Sequence, residues 1–195
     1  MKVSYTSQDG VAVLELNDPP ANTYSYEMMR ELDEAILAAR MDEGVHVIVL
    51  TGAGERFFCA GADMDVLQGI QGAGRSAPAE NRDARFAMTV PKPIIAAVNG
   101  PATGGGLALA LGSDVRIAAE AARFGVAFIR IGLSACDIGV SWALPRLVGA
   151  SRAHELMLTG RVFDSAEAER IGFPVLIKAA TWLSHVEYDW QKIGR

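Results

Sequence analysis

Three consecutive glycines, Gly104–Gly106, lie between an apolar run and a segment of small residues with helical character. A phosphate-binding P-loop has a Lys and a Ser or Thr directly after its last glycine, whereas Leu107 and Ala108 follow here, so that motif is excluded. The dinucleotide-binding spacing G-x-G-x-x-G does not fit either. Glycines let a ligand approach the backbone closely, and a helix start carries unpaired N–H groups that attract negative charge. The stretch therefore predicts either an oxyanion-binding loop or a tight turn between a strand and a helix.

A second glycine turn comes earlier in the chain. The stretch Glu55–Met64 (ERFFCAGADM) combines a short extended piece with small residues, and a helix is predicted from Ala62. When two turns end neighbouring strand layers, the helix starts that follow them lie at the same edge of the sheet. Two backbone N–H groups are therefore expected to converge at that edge.

The segments around these turns have the patterns of strands and helices. Val11–Asn17 alternates apolar and polar residues like a half-buried strand, and Val45–Gly52 resembles a buried parallel strand. Between them a helix is predicted, with acidic residues early and Arg40 at its end, which suits the helix dipole. Its predicted apolar positions are Met28, Met29, Leu32, Ile36 and Leu37.

The order of strand, turn and helix then recurs. Pro93–Gly100 predicts another buried strand, the glycine loop is its turn, and Asp114–Glu120 opens a further unit. Two later helices are predicted, one with Ser151 as its N-cap and one that stops at Gly172. The chain is thus predicted to be an α/β protein that coils as a spiral of parallel-sheet layers.

Composition limits the classes of function. The 195 residues are enough for one domain with a real core, because half of them are hydrophobic. The net charge of -5 and the absence of a basic block argue against nucleic acid as a partner. No apolar run reaches the roughly 20 residues of a membrane-spanning helix, so a soluble, cytoplasmic protein with no membrane partner is expected. Cys59 and Cys136 lack the spacing of metal ligands, and no metal is predicted.

Two longer motifs occur in order along the chain, FCAGAD at Phe58–Asp63 and AAVNGPATGGG at Ala96–Gly106. Shorter ones follow, FG at Phe124–Gly125, LPRLVG at Leu144–Gly149 and LTGR at Leu158–Arg161. Together they resemble the crotonase superfamily, the enoyl-CoA hydratases and isomerases, and the likeness runs from about Val11 to Gly172. The resemblance implies a crotonase-like spiral of repeated ββα units.

The resemblance also implies an acyl-CoA thioester as the substrate or ligand, with no further cofactor. The thioester carbonyl would accept hydrogen bonds from the N–H groups of Ala62 and Gly105, which would stabilise an enolate oxygen. The adenine and pantetheine of CoA would run along Ala60, Gly61 and Asp63, although Asp63 equally suits a helix N-cap. Such proteins are lyases or isomerases of fatty acid metabolism, and a homo-oligomer, a trimer or hexamer, is expected.

Both glutamates that the family's hydratases use are replaced here. Ala108 stands at the first position and Phe128 at the second. Neither side chain moves a proton, so simple hydration of an enoyl thioester is not expected. Asp137, in GLSACDIG, is the remaining candidate acid or base. The alternative roles for Asp137 are an N-cap of the next helix or an ion pair with Arg130 or Arg146.

The C-terminal part departs from the family pattern. Family members continue after the equivalent of Gly172 with several helices that cover the acyl pocket, whereas the tail here has no clear period. The sequence predicts a crotonase-like acyl-CoA binding core over 1–172 and an atypical tail over 173–195, with the C-terminal helical region largely missing. It leaves two functions open, an enzyme that stabilises a thioester enolate and a non-catalytic acyl-CoA-binding homologue.

Overall fold

The computed structural model describes residues 1–63, 90–135, 138–173 and 176–178. Its strands are β1 Val3–Gln8, β2 Val11–Leu16, β3 Val47–Gly52, β4 Ile94–Val98, β5 Ala102–Thr103, β6 Val115–Ala119, β7 Arg123–Gly125, β8 Val162–Asp164 and β9 Leu176–Lys178. Within the described residues, the larger sheet has the order β1-β2-β3-β4-β6-β9, and the smaller sheet has the order β5-β7-β8. In the larger sheet β1 and β2 are antiparallel, and the other neighbours are parallel. The predicted spiral of parallel layers is confirmed.

Apolar strands form the parallel centre of the larger sheet. β2 alternates buried and partly buried residues, whereas every residue of β4 is buried. Leu50 of β3 pairs with Leu14 on one side and with Ala96 on the other. A central strand that is covered on both faces needs apolar side chains throughout. This requirement explains why the continuously apolar runs in the sequence identify β3 and β4.

The first strand is harder to find in the sequence because most of its residues are polar. β1 pairs with β2 through a two-residue turn in which Asp9 and Gly10 have positive φ, at 50° and 86°. A type I′ hairpin turn requires positive φ at both positions, and Asp-Gly is a favoured pair for it. The signal for β1 therefore lies in its turn and not in its apolar pattern.

The helices are α1 Tyr26–Met41, α2 Gly105–Gly112, α3 Val140–Val148, α4 Ala150–Thr159 and α5 Ser165–Arg170, with a 3-10 helix at Ala127–Ile131. α1 begins after Ser25, whose hydroxyl accepts from the Met28 N–H at 3.1 Å. Leu37 is 55% exposed, so its predicted place on the apolar face is wrong. It follows Ile36 by one residue, about 100° around the helix, and Ala39 is buried instead.

The later helices also differ in part from prediction. Ser151 is not an N-cap, because α4 begins at Ala150 after Gly149. The predicted capped helix before Gly172 is confirmed: Asp164 accepts from the Glu167 N–H at 2.8 Å at its start, and it ends at Arg170, two residues before Gly172, which has φ 78°. In the described part of the chain, none of the helices combines the length and the apolar character needed to cross a membrane.

Three phenylalanines connect the smaller sheet to the end of the described core. Phe124 lies on β7, Phe163 on β8 and Phe173 after α5, and their ring centroids are 5.5, 4.9 and 5.8 Å apart. All three side chains are almost fully buried. β9 follows them and pairs in parallel with β6. The division between residues 172 and 173 stays a prediction.

Candidate active site

Two neighbouring loops carry the predicted N–H donors. We call Gly52–Asp63 the first loop and Asn99–Gly106 the second loop. In the first loop Ala62 forms a parallel bridge with Tyr24, whose N–H donates to the Gly61 carbonyl at 2.7 Å. The predicted helix start at Ala62 is therefore wrong, because this residue continues a strand-like pairing. The helix predicted beyond it lies outside the described residues.

The Ala62 N–H points away from Tyr24. A trans peptide is planar, and its C=O and N–H bonds point in opposite directions. The Gly61 carbonyl shares a peptide with the Ala62 N–H, and it is this carbonyl that faces the Tyr24 N–H. The Ala62 N–H is consequently directed to the other side of the first loop.

The second loop ends where α2 begins. Gly104 is the N-cap residue, with φ 52° and ψ -116°, a conformation that glycine adopts far more readily than other residues. Its N–H donates to the Gly125 carbonyl at 3.0 Å, which fixes the loop on β7. The next N–H, that of Gly105, belongs to the first turn of α2, where a helix offers no acceptor of its own.

Backbone hydrogen bonds hold the two loops side by side. Cys59 forms a parallel bridge with Ala102. Its N–H donates to the Pro101 carbonyl at 3.2 Å, and its own carbonyl accepts from the Thr103 N–H at 3.1 Å. The loops therefore form a short strand pairing just before the predicted donors.

The glycines of the site allow the loops to touch. A Cβ built on Gly106 would lie 2.0 Å from the Cys59 carbonyl oxygen, and one built on Gly61 would lie 3.8 Å from the Gly105 nitrogen. Within the described residues, the N–H groups of Ala62 and Gly105 donate to no backbone carbonyl. The structure thus brings two backbone donors without backbone acceptors to neighbouring positions.

A buried asparagine supports the first loop from the segment before α1. Asn22 has φ 51° and a side chain that is almost fully buried. Its Nδ2 donates to the carbonyls of Ala53 and Phe57 at 3.1 and 2.9 Å, and its Oδ1 accepts from the Asp18 N–H at 3.2 Å. One side chain therefore holds both ends of the bend that leads to the donor.

The second loop supports the first loop with two of its own side chains. Asn99 Nδ2 donates to the carbonyls of Gly52 and Gly54 at 2.9 and 2.7 Å. Thr103 Oγ1 donates to the Ala60 carbonyl at 2.6 Å. These roles leave no signal in the sequence, because the partners lie more than 40 positions away in the chain.

Tyr24 contacts both loops. Its backbone pairs with the first loop, and its ring lies 3.5 Å from a Cβ built on Gly105. The side chain is 8% exposed, so the ring fills the space beside the second donor. No pattern in the sequence distinguishes this tyrosine from a core residue.

The other predicted contacts lie close to the donors. Ala60 and Asp63 are partly buried and flank Gly61 and Ala62. The Ala60 N–H donates to the Ala21 carbonyl at 3.1 Å. The structure therefore brings the predicted residues of the first loop next to Gly105, and their role in holding CoA stays a prediction.

Ala108 and Phe128, the two positions predicted to replace the hydratase glutamates, lie on separate elements. Ala108 lies on α2 and is partly buried, and Phe128 lies in the 3-10 helix with a side chain that is 8% exposed. Asp137 lies outside the described residues. The helix after it has Gly139 as its N-cap residue, so the N-cap alternative for Asp137 is wrong.

Two further titratable side chains, those of Cys59 and Asp114, have structural roles. Cys59 is fully buried, and burial raises the pKa of its thiol to about 12, so the thiol stays protonated at neutral pH. Cys136 is not among the described residues. Asp114 accepts from the Ile94 N–H at 2.8 Å and thereby supports the start of β4. No cluster of His, Cys, Asp or Glu in the described ranges is arranged to hold a metal ion.

A cleft of about 290 Å³ lies beside the first loop. It is lined by Asn17, Pro19, Pro20, Asn22 and Ala53–Phe57. Arg56 is exposed here, and its guanidinium carbon lies 5.5 Å from the centroid of the Phe57 ring. The cleft therefore offers a cation and apolar surface next to the loop that leads to Ala62.

Parallel strand layers, paired glycine loops and neighbouring backbone donors define this molecule as an α/β protein of the crotonase fold. A family model described as enoyl-CoA hydratase/isomerase matches residues 6–192. The chain therefore belongs to the enoyl-CoA hydratase/isomerase family.

Individual relatives agree with this assignment. A Mycobacterium leprae protein named "Probable enoyl-CoA hydratase echA12" is 43% identical over 172 residues, which cover 83% of this chain and 58% of the relative. A Mycobacterium tuberculosis protein named "Probable enoyl-CoA hydratase echA14" is 44% identical over 174 residues, or 86% of this chain and 66% of the relative. The crystal structure of an enoyl-CoA hydratase from Bacillus anthracis superposes with a TM-score of 0.91 at 33% identity, covering 100% of this chain and 77% of that one.

Proposed function

We propose that this protein binds an acyl-CoA thioester and stabilises its enolate oxygen with the N–H groups of Ala62 and Gly105. The observation that carries the proposal is that these two N–H groups lie on adjoining loops and donate to no backbone carbonyl among the described residues. Membership of the enoyl-CoA hydratase/isomerase family supports the same ligand class.

Backbone donors suit this chemistry because their directions are fixed before the substrate arrives. Negative charge develops on the thioester oxygen when a proton leaves the neighbouring carbon. A preorganised donor aimed at such an oxygen is typically worth about 3 kcal/mol of barrier. The small residues around the donors also leave room for the thioester to approach the backbone.

We assign the CoA moiety to the first loop. Ala60, Gly61 and Asp63 flank the first donor, and Arg56 supplies an exposed cation that suits a phosphate of CoA. No cofactor other than the acyl-CoA itself is needed for this scheme, because the backbone supplies the stabilisation of charge.

Proton transfer must come from groups other than those of the hydratases. The side chains of Ala108 and Phe128 have no group that can donate or accept a proton. An apolar pocket also excludes the water that hydration needs. We therefore propose isomerisation or other enolate chemistry, with Asp137 as the acid or base. Asp137→Asn is expected to lower turnover at least about a hundredfold while acyl-CoA affinity holds.

A second candidate is a non-catalytic acyl-CoA-binding homologue. The observation that favours it is the same pair, Ala108 on α2 and the buried Phe128. Such a protein would keep the two donors and bind the thioester without moving a proton.

Exposed apolar side chains support a homo-oligomer, which we propose to be a trimer or hexamer. Ile129, Ile131, Trp142, Leu158 and Val162 are exposed at levels between 39% and 73% in the single chain. Burial of such side chains between subunits is favourable. Light scattering that shows a monomer at high concentration would contradict this proposal.

The test of the proposed function is exchange of the α-protons of butyryl-CoA in D₂O, followed by NMR. An enzyme of enolate chemistry exchanges these protons, and the exchange should stop in Asp137→Asn. Binding of butyryl-CoA without exchange would favour the non-catalytic homologue. Hydration of crotonyl-CoA at about 10 per second or faster would contradict the assignment of proton-transfer groups.

A further inference from the structure

We propose that Thr103 is a positioning residue that sets the direction of the Ala62 N–H relative to the Gly105 N–H. The inference rests on the proposed function, because it explains how the two donors of that site are held. Thr103 is not itself placed against the thioester. It acts through the carbonyl of Ala60, one peptide away from the peptide that carries the first donor.

Thr103 contacts the first loop with three different groups. Its hydroxyl donates to the Ala60 carbonyl at 2.6 Å, and its backbone N–H donates to the Cys59 carbonyl at 3.1 Å. Its carbonyl oxygen lies 3.0 Å from a Cβ built on Gly61. The residue therefore lies along the first loop from Cys59 to Gly61.

The methyl group of Thr103 faces β7, whereas its hydroxyl faces the first loop. Its Cγ2 lies 3.3 Å from a Cβ built on Gly125, with which Thr103 pairs in the smaller sheet. With the methyl group against β7 and the hydroxyl on Ala60, both branches of the side chain are engaged. The rotamer is thus fixed by packing as well as by the hydrogen bond.

The hydroxyl matters because of the glycine that follows its acceptor. Gly61 has φ 103°, a conformation with little steric restraint for glycine. The peptide after Gly61, which carries the Ala62 N–H, is bonded to Tyr24, and the peptide before it is bonded to Thr103. Because both planes are fixed, the flexible glycine between them cannot turn the donor away.

The chain contains a matched control in Thr51. Its Oγ1 donates to the Ala97 carbonyl at 3.0 Å, again from one strand to a backbone carbonyl of its neighbour, and the contact is partly buried. Thr51 lies on β3 and contacts neither donor peptide. Thr103→Val and Thr51→Val each remove one such hydroxyl and keep the branched shape, so they share the loss of a hydrogen bond and differ only in its place.

The experiment measures the carbonyl stretch of bound butyryl-CoA, labelled with ¹³C at the thioester carbon, by difference infrared spectroscopy. Calorimetry of butyryl-CoA and CoA gives the affinity ratio for the same variants. In the unsubstituted protein the stretch moves to lower frequency on binding, because hydrogen bonds polarise the carbonyl. In Thr103→Val the movement is expected to shrink and the affinity ratio to fall about fivefold, whereas Thr51→Val keeps both.

A second pair of variants provides the test if Thr103→Val does not fold. Thr103→Ser keeps the hydroxyl and Thr103→Ala removes it, and neither adds volume. The serine variant is expected to keep the infrared shift and the alanine variant to lose part of it. If Thr103→Ala keeps the infrared shift and the affinity ratio of the unsubstituted protein, the inference is overturned and the proposed function stays intact. Absence of any shift in the unsubstituted protein overturns the proposed function and, with it, the inference.

Discussion

The two loops that carry the donor peptides are held in place by different means. Ala62, the donor of the first loop, is paired with Tyr24 like a strand residue, and the side chains of Asn22, Asn99 and Thr103 hold the loop. The second loop obtains its donor from the start of α2 and is positioned by a glycine that rests on the first loop. A helix start leaves its N–H groups unpaired by its geometry, whereas an extended segment has to be fixed by added hydrogen bonds.

The difference predicts two kinds of sensitivity. The second loop should be disrupted by added atoms, because there is no space for a side chain at Gly106. The first loop should be disrupted by removed hydrogen bonds, because its carbonyls depend on side-chain donors.

The largest effect is expected for Gly106→Ala. The new Cβ would lie 2.0 Å from the Cys59 carbonyl oxygen and 2.7 Å from the Cys59 Cβ, so the loops must separate. We expect a loss of about 4 kcal/mol or more in the free energy of unfolding, together with loss of the preference for acyl-CoA over CoA. Urea denaturation and calorimetry measure the two effects.

The neighbouring glycine provides the control for this variant. A Cβ on Gly105 would lie 3.5 Å from the Tyr24 ring, an ordinary contact, and the N–H would remain. Gly105→Ala should therefore change stability by less than about 1 kcal/mol. Equal stability of the two alanine variants would show that close approach of the loops is not required.

A smaller effect is expected when the first loop loses its buried asparagine. Asn22→Ala removes two donated hydrogen bonds and one accepted bond, and it puts alanine at φ 51°. We expect a loss of about 3 kcal/mol, of which Asn22→Gly should recover about 1 kcal/mol by relieving the backbone. If Asn22→Ala unfolds at the same urea concentration as the unsubstituted protein, the first loop does not depend on this side chain.

The smallest effect is expected at an ion-pair network away from both loops. Arg161 bonds to Glu155 and Glu167 at 2.7 and 2.6 Å, and these bonds hold the pKa of both carboxyl groups below the ordinary 4.5. The stabilisation is therefore present above pH 4.5 and is lost as the pH falls through the lowered values. Because the three side chains are partly exposed and solvent screens their charges, Arg161→Gln should cost only about 1 kcal/mol at pH 7. The cost should be smaller at pH 3, where the carboxyl groups become protonated.

Because the ion-pair network lies away from both loops, its loss should affect stability and not ligand preference. Arg161→Gln should unfold more easily at neutral pH and still prefer acyl-CoA to CoA. A stability difference that is the same at pH 3 and pH 7 would argue against the carboxylates as its source.

Much of the fold is predictable because it depends on local patterns. The apolar runs identify β3 and β4, and the glycine pattern identifies the turn before α2. The pairing of Ala62 with Tyr24 is not predictable in this way, because the small residues FCAGAD suit a helix start as well as an extended segment. The tertiary partner decides between the two conformations.

The two donor residues of the candidate site are predictable from the sequence, whereas the side chains that hold the loops in place are not. Ala62 and Gly105 belong to continuous motifs, whereas Thr103 acts on a carbonyl 43 positions before it. A hydrogen bond between such distant segments leaves no periodic signal in the sequence. Asn22 carries one hint, since a left-handed backbone favours asparagine, but the residue type does not reveal which distant carbonyls its side chain bonds.

The role of the Gly105 N–H in binding the thioester is tested by calorimetry of butyryl-CoA and CoA with the unsubstituted protein, Gly105→Ala and Gly105→Pro. Proline is tolerated at the first position of a helix and replaces the N–H with a ring carbon, while alanine keeps the N–H. We expect the unsubstituted protein and Gly105→Ala to bind butyryl-CoA at least about tenfold more tightly than CoA, and Gly105→Pro to bind both equally. Equal affinity of the unsubstituted protein for the two ligands would contradict this role.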